Sequence, residues 1–447
     1  MDRNPQAPGY VRWVTRTLET AGFETWAVGG AIRNTLLGLP PGDWDMATRA
    51  PPRVVRQLFP RTVPVGIEHG TVGVLTRDGV LLEVTTFRRD VETSGRHAVV
   101  EFADTLQEDL ARRDFTINAV AWHPIRESFQ DPFGGREDLE ARLLRTVGNP
   151  SERFSEDFLR VLRALRFSGR FGLRIDGRSW KAICDSPDRL SILSPERIRE
   201  ELTKILTRDE RPSGALALYT ASGVLEALYP ELSAVEGCSR SGRDRDLWAH
   251  CLLLTDILPA GRPTLRLAAL LHGLGVPEGG EGPGADVQLR ARDRAAALMI
   301  RSRYSNADIR EITELIGMGL EPPLDLAEPS ELRRWLHRAD PDRLSNFGRI
   351  WLGKARLDRL RWGLDSAPVL DLLRRLRREL RARPPLRVED LALNGRDLIA
   401  LGLKPSPRFG EILDHLMDQV LEDPDLNTRD RLLELVESAG FGLKGKR

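Results

Sequence analysis

The apolar pattern of this chain changes period near residue 145, and that change bounds what it can fold into. Before it, short β-rich runs stand among helical ones: TWAVGG (25 to 30), DWDMAT (43 to 48), TVGVLT (71 to 76) and VLLEVTTF (80 to 87). The triplet Arg77-Asp78-Gly79 is a hairpin turn signal before the last of these. From Ser155 onward, apolar residues recur three and four apart in FLRVLRALRF, IREELTKIL, LWAHCLLLTDIL and LRLAALL, as packed helices require. The reading is α+β: an N-terminal part with a small mixed or antiparallel sheet, then an all-α remainder. The glycine-rich stretch 272 to 286 reads as a loop between helices.

At 447 residues the chain exceeds one ordinary domain and suggests roughly three or four. Lys plus Arg (67) nearly cancels Asp plus Glu (66), so net charge points to no partner. Its distribution does: residues 354 to 383 hold Arg356, Arg359, Arg361, Arg374, Arg375, Arg377, Arg378, Arg381 and Arg383. Taken alone, such a run is a solvated helix face. Cys184, Cys238 and Cys251 have neither paired nor metal-ligand spacing, which fits a reducing compartment. The first residues lack an apolar signal core and no stretch approaches the ~18 apolar residues of a membrane span. A soluble, cytoplasmic protein without a membrane partner is expected.

Residues 29 to 45, GGAIRNTLLGLPPGDWD, carry the chemistry. In an extended strand, residues i and i+2 face the same way, so Asp43 and Asp45 are expected side by side. Adjacent carboxylates repel unless cations hold them, and magnesium ions with phosphate ligands are the usual remedy. Gly29 and Gly30 lack side chains, so backbone N–H groups at the strand-to-helix turn can approach phosphate oxygens. A helix starting near Ala31 adds its positive end, and Arg33 in its first turn can reach the same phosphates. Gly-Gly alone is a tight turn and Asp-x-Asp alone a loop cap. Their conjunction within 17 residues is far more specific.

This stretch resembles the signature of the DNA polymerase beta nucleotidyltransferase superfamily, and more narrowly the class II tRNA nucleotidyltransferase and bacterial poly(A) polymerase family. The likeness continues in EVTTFR (83 to 88), EDLARRDFTINAVA (108 to 121), DPFGGREDL (131 to 139) and RFSEDFLRVLRALRFSGRFG (153 to 172). SPERIREEL (194 to 202) and NGRDLIALGLKPSPRFGEIL (394 to 413) complete it across nearly the whole chain. The resemblance implies a catalytic head (1–145), a helical neck with a base-reading helix (146–215), a degenerate HD-like body (216–340) and an RNA-binding tail (341–447). It implies that Asp43 and Asp45 bind two Mg2+ ions, with Glu83 on a neighbouring strand as a third carboxylate. Asp114 takes the nucleotide ribose hydroxyl and Arg113 a phosphate or base-orienting role; Asn118 and Arg163 join the nucleotide-binding set.

Within EDFLRVLRALRF, Asp157 and Arg160 are three apart and share a helix face, while Glu156 lies four before Arg160 and braces it. Alone this is a surface salt-bridge ladder. In the family the matching pair reads the incoming base. Cytosine and adenine both present an amino donor beside a ring-nitrogen acceptor, whereas uracil and guanine present a carbonyl acceptor beside an N–H donor. A carboxylate next to a guanidinium fits the first pattern and opposes the second.

Asn34 stands where the family has aspartate, so a charged role is lost while capping or hydrogen bonding remains. WAHCLLLTDILPAGRPTLRLAALLHGLGVP (248 to 277) resembles an HD phosphohydrolase, but Gly273 follows His272 where metal binding needs aspartate. No phosphohydrolase activity is expected, and His250 and His272 read as packed residues. RRDVETSGRHAVVEF (88 to 102) resembles a full-length flexible loop, with Asp90 and Arg96 in place, which disfavours CC-only addition. VGIEHGTVGV (65 to 74) resembles the tRNA branch of the family. The resemblance thus implies CCA addition to tRNA from CTP and ATP, with the basic run and the tail contacting the acceptor stem and TΨC region. A-adding or poly(A)-adding activity is the alternative, and an RNA-binding scaffold the non-enzymatic one.

Overall fold

The computed structural model describes residues 4–94, 97–238, 246–276, 284–401 and 403–439, and two compact units divide it, residues 1–233 and 234–447. Arg96 and the glycine-rich segment 277–283 lie outside the described residues.

The first unit begins with helix α1 (Gly9–Thr20), whose Val11, Val14 and Leu18 are fully buried at helical spacing. Strand β1 (Thr25–Val28) and helix α2 (Gly30–Leu36) follow, then β2 (Asp45–Thr48), α3 (Pro52–Leu58), β3 (Thr62–Gly66), β4 (Thr71–Leu75) and β5 (Leu81–Thr86). The hairpin β6 (Arg88–Ser94) and β7 (His97–Phe102) leads to α4 (Leu106–Ala111), and β8 (Ala121–Trp122) and β9 (Phe129–Gln130) close the sheet. The sheet is mixed, in the order β3-β4-β5-β2-β1-β8-β9. Only β2 and β5 run parallel; the other pairs are antiparallel.

The strand period sorts side chains onto two cores. Ala27, Met46, Val72, Val74, Leu82 and Val84 pack with α1 on one face. Trp26, Val28 and Ala47 point to the other, where they meet Leu106 and Leu110 of α4 and Phe87. Gly79, at φ +77°, closes the β4–β5 turn by donating its N–H to Thr76 O, as Arg77-Asp78-Gly79 foretold. The loop-like segment 88–102 is a two-stranded ribbon, because Arg89 pairs with Glu101 across it and with Glu108 in α4.

Helical elements complete the unit: α5 (Gly135–Glu140), α6 (Pro150–Glu156), α7 (Leu159–Phe171), α8 (Gly177–Cys184), α9 (Pro195–Arg208), α10 (Pro212–Ala221), α11 (Val224–Leu228) and α12 (Pro230–Ser233). Here one expectation fails. EDFLRVLRALRF is not a single helix: α6 ends at Glu156, and Asp157 adopts an extended backbone (φ −156°, ψ 106°) before α7 starts. The break is stabilised locally, since the Asp157 carboxylate accepts a hydrogen bond from the Leu159 N–H at 3.1 Å. A lesser correction concerns DWDMAT, whose strand begins at Asp45 and leaves Asp43 exposed in the preceding bend.

Among the described residues the regular elements of the second unit are all helices, from Leu247–Ile257 to Arg429–Ser438. Trp335, Phe347 and Trp351 form an aromatic cluster in its core, with ring centroids 5.1 to 5.8 Å apart. Among the described residues no helix is long and apolar enough to cross a membrane. Cys184, Cys238 and Cys251 are free thiols.

Candidate active site

Gly29 follows β1 at φ +75°, a conformation that favours glycine. A Cβ there would lie 3.4 Å from an Arg113 guanidinium nitrogen and 3.5 Å from an Asp45 carboxylate oxygen. The Gly-Gly turn therefore brings backbone, Asp45 and Arg113 into one cluster. Asp45 is half-buried at the start of β2, and its register partner on β5 is Glu83. The parallel pairing of β2 with β5 thus makes Glu83, expected on a neighbouring strand, an immediate neighbour of Asp45.

Burial, then the charge of Glu83, pushes the Asp45 carboxyl up to about 6; Arg113 opposes the shift and Asp43 adds to it. Crowded carboxylates with incomplete compensation are a site for cations. Among the described residues no group of three or more His, Cys, Asp or Glu side chains is arranged to hold a metal ion. Asp43 and Glu83 lie close enough to raise the Asp45 carboxyl, and oxygen donors of this kind are the ligand type a hard cation takes.

Arg33 stands in α2 as expected and is held by side chains of this chain. It is buried, donates to Asn118 Oδ1 at 2.6 Å and to Asn34 Oδ1 at 2.8 Å, and lies over the rings of Phe167 and Phe171 at 5.0 and 4.7 Å. Burial and the nearby Arg170 lower its pKa to about 10. Asn34 also donates to Pro40 O and Pro41 O, so the amide in place of the family aspartate ties α2 to the loop before Asp43.

After α4 the chain turns through Arg112, Arg113 and Asp114. Buried Asp109 accepts from both arginines, at 2.9 Å from Arg112 and 3.2 Å from Arg113; Arg113 also donates to Asn118 O. Burial raises the Asp109 pKa, but the two guanidinium charges outweigh it and hold the group below its usual range. Asp114 is similarly held down against its burial by Arg163. Arg163 donates to Asp114 Oδ2 through Nε (2.8 Å) and Nη2 (2.6 Å), while Asn118 Nδ2 and the Phe115 N–H donate to Oδ1. Arg113, Asp114, Asn118 and Arg163 therefore form one hydrogen-bonded set with Arg33.

At the α6–α7 break, Arg160 is braced by Glu156 as expected and also donates to Arg153 O. Asp157 is gripped instead by Arg197 of α9, at 3.1 and 2.6 Å. Arg197 was missed as a site residue. Its signal was the SPERIREEL motif, without any hint of a contact 40 positions away. The same helix holds α7 through the buried Arg166–Glu201 pair at 2.6 Å.

In the second unit, the His250 and His272 rings lie 5.6 Å apart and His250 is buried. A Cβ on Gly273 would meet Cys251 Sγ at 3.0 Å and Val235 at 3.1 Å, so the space an HD aspartate needs is filled. In the basic run, Arg356, Arg359, Arg374, Arg377, Arg378 and Arg381 are exposed, whereas Arg375 turns in to the carbonyls of Leu326 and Ala327.

The Poly A polymerase head domain family matches residues 25–145, and the probable RNA and SrmB-binding site of polymerase A matches 172–235. A CCA-adding enzyme of Anoxybacillus flavithermus is 46% identical over 222 residues, and there the alignment spans about half of each chain, 49% of this one and 55% of the relative. The CCA-adding enzyme of Geobacillus kaustophilus is 33% identical over 432 residues, 94% of both chains. The crystal structure of the Bacillus stearothermophilus CCA-adding enzyme in complex with CTP superposes with a TM-score of 0.73 at 29% identity, covering 96% of this chain and 97% of that one. The Thermotoga maritima enzyme complexed with tRNA shares the fold at a TM-score of 0.53 and 20% identity. With a relative matched along almost its entire length, the chain belongs to the CCA-adding enzyme family.

Proposed function

We propose that this chain is a cytosolic tRNA 3′-end nucleotidyltransferase that adds C, C and A from CTP and ATP, releasing pyrophosphate at each step. The observation that carries this reading is the Arg163–Asp114 pair, which joins the turn beside Asp45 to the helix that follows Asp157. One nucleotide can then meet phosphate-, ribose- and base-directed groups together.

The α-phosphate is attacked by the RNA 3′-hydroxyl without a covalent enzyme intermediate. Asp43 and Asp45 would hold Mg2+, which would supply activation of that hydroxyl and charge neutralisation of the pyrophosphate. The chain's own groups do the positioning. Gly29 and Gly30 present backbone N–H groups to phosphate, with Arg113 beside them. Asp114, kept ionised by Arg163, accepts from a ribose hydroxyl. Asp157 accepts from the amino group of C or A, and Arg160 donates to the ring nitrogen; U and G offer the reverse order. Glu83 beside Asp45 serves as the third carboxylate. The four-part division into head, neck, body and tail belongs to the same proposal, with the exposed arginines from 356 to 381 contacting phosphates of the acceptor stem and TΨC region by shape.

Incorporation of labelled CTP and ATP into tRNA lacking CCA, and into C-ended and CC-ended tRNA, tests this. Extension of all three to a complete CCA end is the expected result. Extension of CC-ended tRNA alone makes the protein an A-adding enzyme, and tRNA binding without incorporation makes it a scaffold.

A further inference from the structure

Arg33 is 7% exposed, and its guanidinium lies against the rings of Phe167 and Phe171, with Nη2 3.7 Å from where a Cβ on Gly30 would stand. That places it at the edge of the Gly-Gly turn. A buried guanidinium is ordinarily paired with a carboxylate, and among the described residues none pairs with this one. Its acceptors are two neutral amides: Asn118 Oδ1 takes Nη1 at 2.6 Å, and Asn34 Oδ1 takes Nη2 at 2.8 Å and Nε at 3.2 Å. Three of the five N–H groups are used in this way, and one remains on each terminal nitrogen. The surrounding charges deepen the imbalance. Arg163, Arg166 and Arg170 oppose the charge of Arg33, and Asp114, which favours it, is already engaged by Arg163.

The reason for an amide at position 34 lies on its other side. Asn34 Nδ2 donates to Pro40 O and Pro41 O, each at 3.3 Å, and stands 3.9 Å from where a Cβ on Gly42 would be. A carboxylate here would pair with Arg33 but would set an oxygen against two carbonyl oxygens. Only an amide accepts from the guanidinium and donates to the loop that ends at Asp43.

We propose that Asn34 is a positioning residue for the incoming nucleotide: it steadies the loop before Asp43 and leaves the charge of Arg33 to be compensated by a phosphate of CTP or ATP. The inference rests on the nucleotidyltransferase reading and adds to it the residue that keeps Arg33 available to an anion in this chain. The two tasks are inseparable in one side chain. An aspartate would supply from within the protein the negative charge that the nucleotide otherwise brings, and would release the loop as well. The effect belongs to the phosphates alone, so it is the same for CTP, for ATP and for an inorganic polyphosphate without a base.

The test uses the full chain and calorimetric titration with CTP, ATP and inorganic tripolyphosphate in chelator. Asn34→Asp should weaken all three alike, roughly tenfold, whereas Asn34→Ala, which leaves Arg33 without a carboxylate, should stay within about threefold of wild type. Amide hydrogen exchange in peptides spanning residues 39–44 should quicken in both variants, because both lose the bonds to Pro40 O and Pro41 O. Wild-type affinity for tripolyphosphate in Asn34→Asp overturns the proposal. Equal weakening in the two variants also overturns it, since a merely structural role predicts that result. Should Asn34→Asp not fold, Arg33→Gln takes its place: an unaltered tripolyphosphate affinity there, or unaltered exchange at 39–44 in Asn34→Ala, has the same force. If the wild-type protein incorporates neither CTP nor ATP into tRNA, the nucleotidyltransferase reading itself fails; incorporation with unaltered tripolyphosphate affinity in Asn34→Asp removes only the role of Asn34.

Discussion

Arg197 grips Asp157 from a separate helix, Nη1 to Oδ1 at 3.1 Å and Nη2 to Oδ2 at 2.6 Å, so the orientation of the carboxylate proposed to read the base is set by α9. The fork geometry is specific to a guanidinium. Arg197→Lys should therefore blur the preference for C and A over U and G roughly tenfold, although the charge is kept. Steady-state incorporation of all four nucleotides measures it, and an unaltered preference would show that Asp157 is aligned without help.

Direct removal of the base-directed groups should be more severe. Asp157→Ala and Arg160→Ala each leave a nucleotide polar group unpaired in a closed site, about 1–3 kcal/mol, or ten- to a hundredfold in discrimination. Both variants should bind divalent metal normally, because Asp45 starts β2 and Asp43 lies in the bend before it, apart from α7. Wild-type selectivity in both would move base reading elsewhere.

Asp45 links catalysis to pH. Its folded-state pKa of about 6 lies above the ordinary 3.8, so the folded protein holds this proton more tightly than the unfolded chain. The ionised form is thus a cost to folding that is fully present above about pH 6 and is relieved as the pH falls toward 4. In chelator, Asp45→Asn should raise stability at about pH 8 by ~1–2 kcal/mol and change little near pH 4. Protons and divalent cations compete for the same oxygens, so Mg2+-dependent transfer should fall below about pH 6, and Asp43→Ala or Asp45→Ala should abolish it with tRNA affinity within a few-fold. Thermal melts with and without Mg2+ at both pH values, beside single-turnover incorporation, decide the matter. Equal melting of wild type and Asp45→Asn at about pH 8 would refute the electrostatic account.

Restoring the missing HD aspartate should not restore an HD site. Gly273→Asp drives a Cβ to within 3.0 Å of Cys251 Sγ and 3.1 Å of Val235, and buries a carboxylate among them. A loss of roughly 2–4 kcal/mol follows, readable by urea denaturation. Gain of metal-dependent phosphohydrolase activity in a stable variant would contradict the packing argument.

Much of this site was legible because its information is local. Strand, glycine pair and aspartates follow one another within 21 residues, and the i, i+4 spacing foretold the Glu156–Arg160 brace. What escaped was set by contacts distant in sequence. Asp157 found Arg197 through helix packing, whereas Glu83 on the strand beside Asp45 was expected from the resemblance and not from its spacing. The break before α7 was hidden because FLRVLRALRF keeps a helical period on one side of it, and period alone does not reveal where a carboxylate caps a new start. The place of Arg33 in a first turn was legible, but its packing against Phe167 and Phe171, from another helix, was not.

The parallel ladder between β2 and β5 separates chemistry from chain length. Asp45 and Glu83 are 38 positions apart (83 − 45) yet sit in register, so their spacing is written in backbone hydrogen bonds and not in the excursion that connects them. That excursion, with α3 and the β3–β4 hairpin, is free to lengthen, shorten or accept a grafted peptide at the exposed Arg77–Gly79 tip without moving one carboxylate against the other. Evolution and protein engineers share the same licence: the route by which RNA reaches these carboxylates can be rebuilt while they stay in place.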